Sequence, residues 1–564
     1  MARNIVLREN TINCLLETSA ERYASRPALG MALEEPLTYG ELFRRVRDMA
    51  DTLKREGVIK GDRIALLGEN SPHWCIACLA ALRLGAVLVP ILPDFPEADI
   101  HHILLDSEAK VLFTTQRQME KVLGVREHRL LNVITLDDFR AESDLLPVEP
   151  LSKFIERARL FLRQLPDRIG LRSNAVTADD VASIIYTSGT SGHSKAVMLT
   201  HGNFVANVLT VANHVLPVPP EWTFLSILPL SHSYEFTLGF LFPLLNGARI
   251  AYVGKTPTPS VLEKVCQAER PNIIAAVPLI MEKVYKKKVQ AAFERKALLR
   301  LIARVPGLKA RIYRKIRAKL VEFFGGRLEI MAIGGAAINR DAELFLRQSG
   351  FPYLIGYGLT ETAPLLAGGP WGDETIAVGS TGKPIAGVEI RIDDPDARSG
   401  IGEIVARGAN VMKGYYKDPE ATRRVLDNEG WFRTGDLGNF DRAGNLYIRG
   451  RSKNMILMSN GENIYPEAIE DKINSCMHVA ESLVRENGGL LEALVYLDYD
   501  LVDEETRGRS PQQKREHIDG LLLRLKEAIN PQLSSFSKIA RFVEHEEPFQ
   551  KTATSKIKRY LYTH

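Results

Sequence analysis

The sequence predicts an α/β protein: a large N-terminal domain of layered α/β sheets with a β-rich subdomain, then a small α+β C-terminal domain. Helical and strand patterns alternate through the first half of the chain, which favours mainly parallel sheets covered by helices. From about Val378 the texture changes to short β segments separated by turn residues. After about Ser452 the α/β alternation returns in a block the size of a small separate domain. The expected division is 1–451, with the β-rich subdomain at about 378–451, and then 452–564.

The elements follow in order. "TYGELFRRVRDMADTLKREG" reads as a helix and "DRIALLG" as the strand after it. "HWCIACLAAL" has the apolar spacing of a buried helix ending near Leu84, and "AVLVPI" is the next buried strand. The run "WCIACLAALRLGAVLVPILP" is long enough to cross a membrane, but Arg83, Gly85 and two prolines break it. "FTLGFLFPLLNGARIAYV" is broken in the same way. "ASIIY" and "AVML" read as strands on either side of a polar loop, with the next helix starting around Asn203. From Lys283 to Lys319 the chain is densely basic, with apolar residues at helical spacing, so it predicts one or two cationic amphipathic helices. Such a segment is either a solvated face or a dock for an anionic surface, a membrane or an acidic carrier protein. "GVEIRID", "GEIVARG" and "NLYIRG" are the β segments of the subdomain. "ENIYPEAIEDKINSC" is expected as a helix and "GGLLEALVYLD" as a strand of the last domain.

An apolar fraction of 45% and a charged fraction of 25% over 564 residues exclude general disorder and allow a large core. A net charge of +4 argues against nucleic acid as the main partner. The five cysteines are scattered, and the chain opens without a secretory signal, so the expectation is a reducing cytosol, with the protein free or peripheral to a membrane. Cys75 and Cys78 form a CxxC inside the apolar helix, with no second cluster to complete a zinc site; packing is the expectation.

The most informative stretch is "YTSGTSGHSKAVMLTH" at residues 186–201. A Walker A loop needs Gly-Lys-Ser/Thr at the start of a helix, whereas here Lys195 lies between Ser194 and Ala196 and the loop joins two strands. Gly189 and Gly192 permit tight turns and close ligand approach. Exposed amides, the hydroxyls of Thr187, Ser188, Thr190 and Ser191, and the Lys195 ammonium would together neutralise a triphosphate tail.

The stretch resembles the phosphate loop of the AMP-forming adenylating superfamily, which includes acyl-CoA synthetases, luciferases and peptide-synthetase adenylation domains. It departs from the usual form at Ser191, Ser194 and Ala196. Further motifs of that family follow in the expected order. "LPLSHSYEF" is similar to the substrate-side motif and implies His232 near the acyl entrance. "AIGGAAI" resembles the segment whose backbone, at Gly334, Gly335 and Ala336, lies against adenine. "GYGLTET" implies Tyr357 and Gly358 at the base, with Thr360 and Glu361 beyond. "GWFRTGDLG" implies Asp436 on the ribose hydroxyls, and "IRGRSKNMI" implies Arg451 on ribose or phosphate and Lys453 at a hinge. "KTATSKIKR" supplies Lys556, the lysine of a mobile domain, in a form similar to long-chain members.

The resemblance implies that a carboxylic acid and ATP give acyl-AMP and pyrophosphate, after which a thiol attacks the mixed anhydride. Bringing two anions together calls for positioning and positive charge more than for a nucleophilic side chain. Lys556, Glu361, Thr187 and His232 are the implied catalytic residues, and Thr187 with Glu361 would hold magnesium through oxygen. The lining segments "LPLSHSYEFTLGFLFPLL" and "AAVPLIMEKVY" look more like those of fatty acyl-CoA synthetases than of amino-acid adenylating domains. A medium- or long-chain fatty acid and coenzyme A are therefore the expected substrates. An acyl carrier protein as acceptor, and a nucleotide-binding scaffold without activity, are the alternatives.

Overall fold

The computed structural model describes residues 4–122, 132–139, 175–187, 195–254, 257–290, 306–458, 462–552 and 556–563. Among these residues the strands form five sheets, and two large ones dominate. The first has eight strands, with a parallel centre running Tyr353–Gly358, Ile330–Ile333, Ile273–Ala276, Thr223–Ser226, Arg249–Tyr252 and Pro27–Met31. The second has seven strands, among them Lys195–Thr200, Val181–Thr187, Val87–Ile91 and Arg63–Leu67. Parallel strands buried on both faces read as continuous apolar runs, and Val87–Ile91 is buried at every position.

The helices between the sheets explain the composition of the first half. Pro72–Arg83 starts on a Ser71 cap with proline in the first turn, and every residue from Trp74 to Leu82 is buried. Cys75 and Cys78 belong to this stretch, so they pack as expected. Tyr39–Arg55 is amphipathic instead. Leu42, Val46, Ala50 and Leu53 form its buried stripe, and Thr38 and Glu41 satisfy each other's backbone amides in a capping box.

A four-stranded antiparallel sheet follows, built from Val388–Asp393, Gly402–Gly408, Phe432–Phe440 and Leu446–Arg451. The last domain has three strands, Val479–Asn487, Leu490–Leu497 and Arg541–Glu544, with the helices Pro466–Asn474 and Pro511–Ile529 beside them. Its separate core includes Ile469, Ile473, Val495, Leu521 and Leu525.

Two expected boundaries moved. The helix within "ENIYPEAIEDKINSC" begins only at Pro466, after the short strand Asn463–Ile464. A residue before proline is driven out of the helical region, and Tyr465 sits at φ −103°, ψ 96°. The helix expected near Asn203 starts at His201, because the Thr200 hydroxyl accepts from the Asn203 amide and the Asn203 side chain accepts from the Thr200 amide. Part of the basic segment, residues 291–305, lies outside the described residues. Its described part includes the helix Pro306–Phe323, which buries Leu320 and Phe323 and exposes Arg311, Arg314, Lys315, Arg317 and Lys319. No helix among the described residues is long and apolar enough to cross a membrane.

Candidate active site

Ser188, Gly189, Thr190, Ser191 and Gly192, expected from the sequence to hold phosphate, lie outside the described residues, but both ends of the loop are described. Val181–Thr187 and Lys195–Thr200 pair antiparallel with Thr187 opposite Lys195, and the Thr187 hydroxyl donates to the Lys195 carbonyl at 3.3 Å. The two-residue strand Gly414–Tyr415 adds to the edge of Lys195–Thr200 and sets Tyr415 beside the loop. Lys195 Nζ donates to the Tyr415 hydroxyl at 3.1 Å, which in turn donates to Glu361 Oε1 at 3.0 Å. Tyr415 went unnoticed in the sequence. Its strand is too short to show a period, and the paired tyrosines of "KGYY" are the only cue.

The next groups sit where parallel strands of the eight-stranded sheet end, the usual ligand edge of such sheets. Ile330–Ile333 runs into Gly334, Gly335 and Ala336, and Gly335 takes φ +86°, a conformation that suits glycine. Tyr353–Gly358 ends at Gly358, where a side-chain carbon would lie 1.8 Å from the Pro364 carbonyl oxygen, so only glycine fits. The chain then makes the short 3₁₀ turn Thr360–Thr362, which presents Glu361.

The four-stranded sheet brings in the third group. Asp436 and Arg451 are direct cross-strand partners, and Arg451 Nε lies 2.8 Å from Asp436 Oδ1. The Tyr357 hydroxyl donates to Asp436 Oδ2 at 2.7 Å. Asp436 is only 5% exposed, and burial raises its carboxyl pKa, opposed by Arg451, Tyr357 and Lys556. Each carboxylate oxygen keeps lone-pair capacity beyond these bonds, so a hydroxyl donor can still be accepted.

Lys556 arrives from the last domain. It lines an open cleft, where its side chain is exposed. Desolvation and the neighbouring Arg451 hold its ammonium pKa below the ordinary lysine value, while Asp436 and Glu361 act in the opposite sense. Across the cleft, burial first and then Lys556 push the His232 imidazole down to about 4, so it is neutral at physiological pH. Lys195 is also lowered, chiefly by desolvation, with Glu361 opposing.

One cleft of about 2620 Å³ unites these residues: Thr187, Lys195, His232, Gly334, Gly335, Ala336, Tyr357, Gly358, Thr360, Glu361, Asp436, Arg451, Lys453 and Lys556 all line it. Lys453 is exposed in the turn Ser452–Asn454, directly after the last strand of the four-stranded sheet. Val211, Val215, Phe224, Leu238 and Phe242 give the cleft an apolar part. Glu235 lies there fully buried, and burial lifts its carboxyl to about 8, so at neutral pH it is mostly protonated. Among the described residues no group of three or more His, Cys, Asp or Glu side chains is set to hold a metal alone. Glu361 and Thr187 offer hard oxygen donors, which fit a magnesium ion that takes its other ligands from phosphates and water.

Comparison with known proteins gives the same picture. The family model described as AMP-binding enzyme matches residues 16–416. A long-chain-fatty-acid–CoA ligase of Drosophila melanogaster, heimdall, is 30% identical over 502 residues, covering 82% of this chain and 72% of its own length. A chloroplastic long-chain-fatty-acid–[acyl-carrier-protein] ligase of Arabidopsis thaliana is 28% identical over 532 residues, covering 80% of this chain and 71% of its own. Among solved structures, the anthranilate CoA ligase AuaEII in complex with anthranoyl-AMP superposes with a TM-score of 0.76 over 100% of this chain and 98% of that one; at 19% identity the likeness is one of fold. The match to well over half the chain, set beside the ordered motifs, shows that this protein belongs to the AMP-binding enzyme family, the AMP-forming adenylating enzymes.

Proposed function

We propose that this protein activates a medium- or long-chain fatty acid with ATP, giving acyl-AMP and pyrophosphate, and then transfers the acyl group to the thiol of coenzyme A. The observation that carries this reading is the continuity of the cleft, whose apolar part opens onto Lys195, Arg451 and Lys556 with Glu361 and Asp436 among them. An alkyl tail gains about 0.8 kcal/mol per buried CH₂ in the apolar part. The cations then offset the repulsion between carboxylate and phosphates.

In the first step a carboxylate oxygen attacks the α-phosphorus and the bond to pyrophosphate breaks. Lys556 and Lys195 balance the charge that develops there. Asp436 accepts from the ribose hydroxyls, Tyr357 packs on the base, and the backbone at Gly334, Gly335 and Ala336 lies along it with Gly358 and Thr360 nearby. Magnesium, held by Glu361 and Thr187, would supply further positive charge to the phosphates. Ser188, Gly189, Thr190, Ser191 and Gly192 wrap the phosphate tail in this reading. In the second step the thiol sulfur attacks the acyl carbon, the bond to AMP breaks, and neutral His232 stands by the acyl entrance. The last domain turns about Lys453 between the steps, withdrawing Lys556 and opening a path for the thiol.

The exposed cations of the helix Pro306–Phe323 favour one further acceptor, an acidic acyl carrier protein, and the Arabidopsis relative is named for that chemistry. The reading also makes the protein a cytoplasmic enzyme whose basic helix meets anionic membranes. Carboxylate-dependent exchange of pyrophosphate into ATP, run over fatty acids of increasing length, tests the core of the proposal. Exchange that rises with chain length is expected. No exchange with any acid would leave only a nucleotide-binding scaffold.

A further inference from the structure

Lys286 belongs to the basic segment, yet its charge is spent inside the molecule. It lies in the helical stretch Tyr285–Gln290, which continues the helix Pro278–Val284 of the large domain. Its ammonium donates to the carbonyl oxygens of Asn474 at 2.6 Å, Val479 at 2.9 Å and Cys476 at 3.5 Å. All three acceptors belong to the last domain, at the C-terminal end of the helix Pro466–Asn474 and the turn into the next strand. Helix ends leave carbonyls unsatisfied and carry partial negative charge, so a three-donor cation suits this place.

A second bond joins the same surfaces. Asn339 Nδ2 donates to the Asp471 carbonyl at 3.3 Å, and the Asn339 backbone amide donates to Glu282 Oε1 at 2.7 Å, one helical turn before Lys286. Glu282, Lys286, Asn339 and Asp471 enclose a small cavity of about 130 Å³ between the domains.

The gripped helix also touches the turn that contains Lys453 and the segment that carries Lys556. Near its start, Glu467 accepts from Asn454 in the turn that contains Lys453, at 2.6 Å. In its middle, Glu470 is ion-paired with Arg559, three residues beyond Lys556. Holding the end of this helix therefore holds the segment that carries Lys556.

We propose that Lys286 is a positioning residue that clamps the last domain, through the end of the helix Pro466–Asn474, in the pose that keeps Lys556 in the cleft. The proposal rests on the two-step reading above, because the clamp must form for adenylation and release for thiol transfer. It takes Lys286 out of any docking surface for a membrane or carrier.

The test uses the full chain with Lys286→Met, which keeps the apolar stem and removes the donors. Rapid-quench adenylation should fall roughly tenfold or more, the size expected for losing hydrogen bonds to a charged group. Thiolysis of supplied acyl-AMP should hold or rise. Lys286→Arg keeps the cation and should stay within roughly threefold of wild type in both steps. Asn339→Asp keeps the oxygen that caps the Asp341 and Ala342 amides but loses the interdomain donor, so it should shift the balance in the same direction by less. Spin labels on the exposed positions Gln348 and Gln512, in a Cys476→Ser background, report the domain pose directly. Lys286→Met should broaden or move their distance distribution. Unchanged distances, or an equal fall in both half-reactions, would overturn the clamp. An inactive wild-type protein would overturn the functional reading, while the label distances would still judge the clamp.

Discussion

Lys556 stands under opposing pulls: desolvation and Arg451 disfavour its charge, and Asp436 and Glu361 favour it. A cation already in place before charge develops stabilises a transition state without reorganising water. We predict that Lys556→Ala lowers the rate of acyl-AMP formation by roughly 10²–10³-fold, by analogy with the loss of an oxyanion donor. Thiolysis of supplied acyl-AMP should change little, and pre-steady-state assays of the two half-reactions separate the outcomes. Equal losses in both would mean that Lys556 holds structure rather than charge at the α-phosphate. Single residues were unevenly legible in the sequence. Lys195, Asp436 and Arg451 lie in motifs with their own spacing, and they line the cleft. Tyr415, which ties Lys195 to Glu361, escaped because its place depends on an edge strand two residues long.

At the level of elements, the helix His201–Thr210 joins the antiparallel pair Val181–Thr187 and Lys195–Thr200 to the core. Its first residue, His201, is fully buried, and Nδ1 accepts from the Ile12 amide at 3.3 Å, at the start of the helix Ile12–Tyr23. Burial pushes the His201 imidazole down to about 4, with Asp180 opposing. The folded-state pKa is below the unfolded one, so this contribution to stability is complete above about pH 6.5 and is lost as pH falls towards 4, a change of up to about 3 kcal/mol. His201→Gln keeps an acceptor but does not titrate, so its urea midpoint should vary less between pH 6.5 and 4 than that of wild type. Parallel curves would contradict the assignment. Long periodic elements such as Tyr39–Arg55 and the strands at Arg63–Leu67 and Val87–Ile91 were legible in full. Helix starts were not, because they turn on one cap or one proline, as at Thr200 and Pro466.

Across the whole molecule, the candidate site exists only because distant parts of the chain meet. The ends of the antiparallel strands at Thr187 and Lys195, the ends of parallel strands, a cross-strand ion pair and Lys556 from the last domain line one cleft. The α/β layering was readable from the alternation of helical and strand patterns. The meeting itself was expected only from the resemblance of ordered motifs, because sequence spacing says nothing about which strand ends face each other. The interdomain grip of Lys286 had no sequence signal, since its partners are backbone carbonyls that any residue could supply. The most direct test of the account is a crystal structure with a non-hydrolysable fatty acyl-adenylate. We predict that the ribose hydroxyls lie on Asp436, the phosphate beside Thr187 and Lys556, and the alkyl chain in the apolar part near Leu238. An adenylate bound elsewhere, away from Glu361, Asp436 and Arg451, would contradict it.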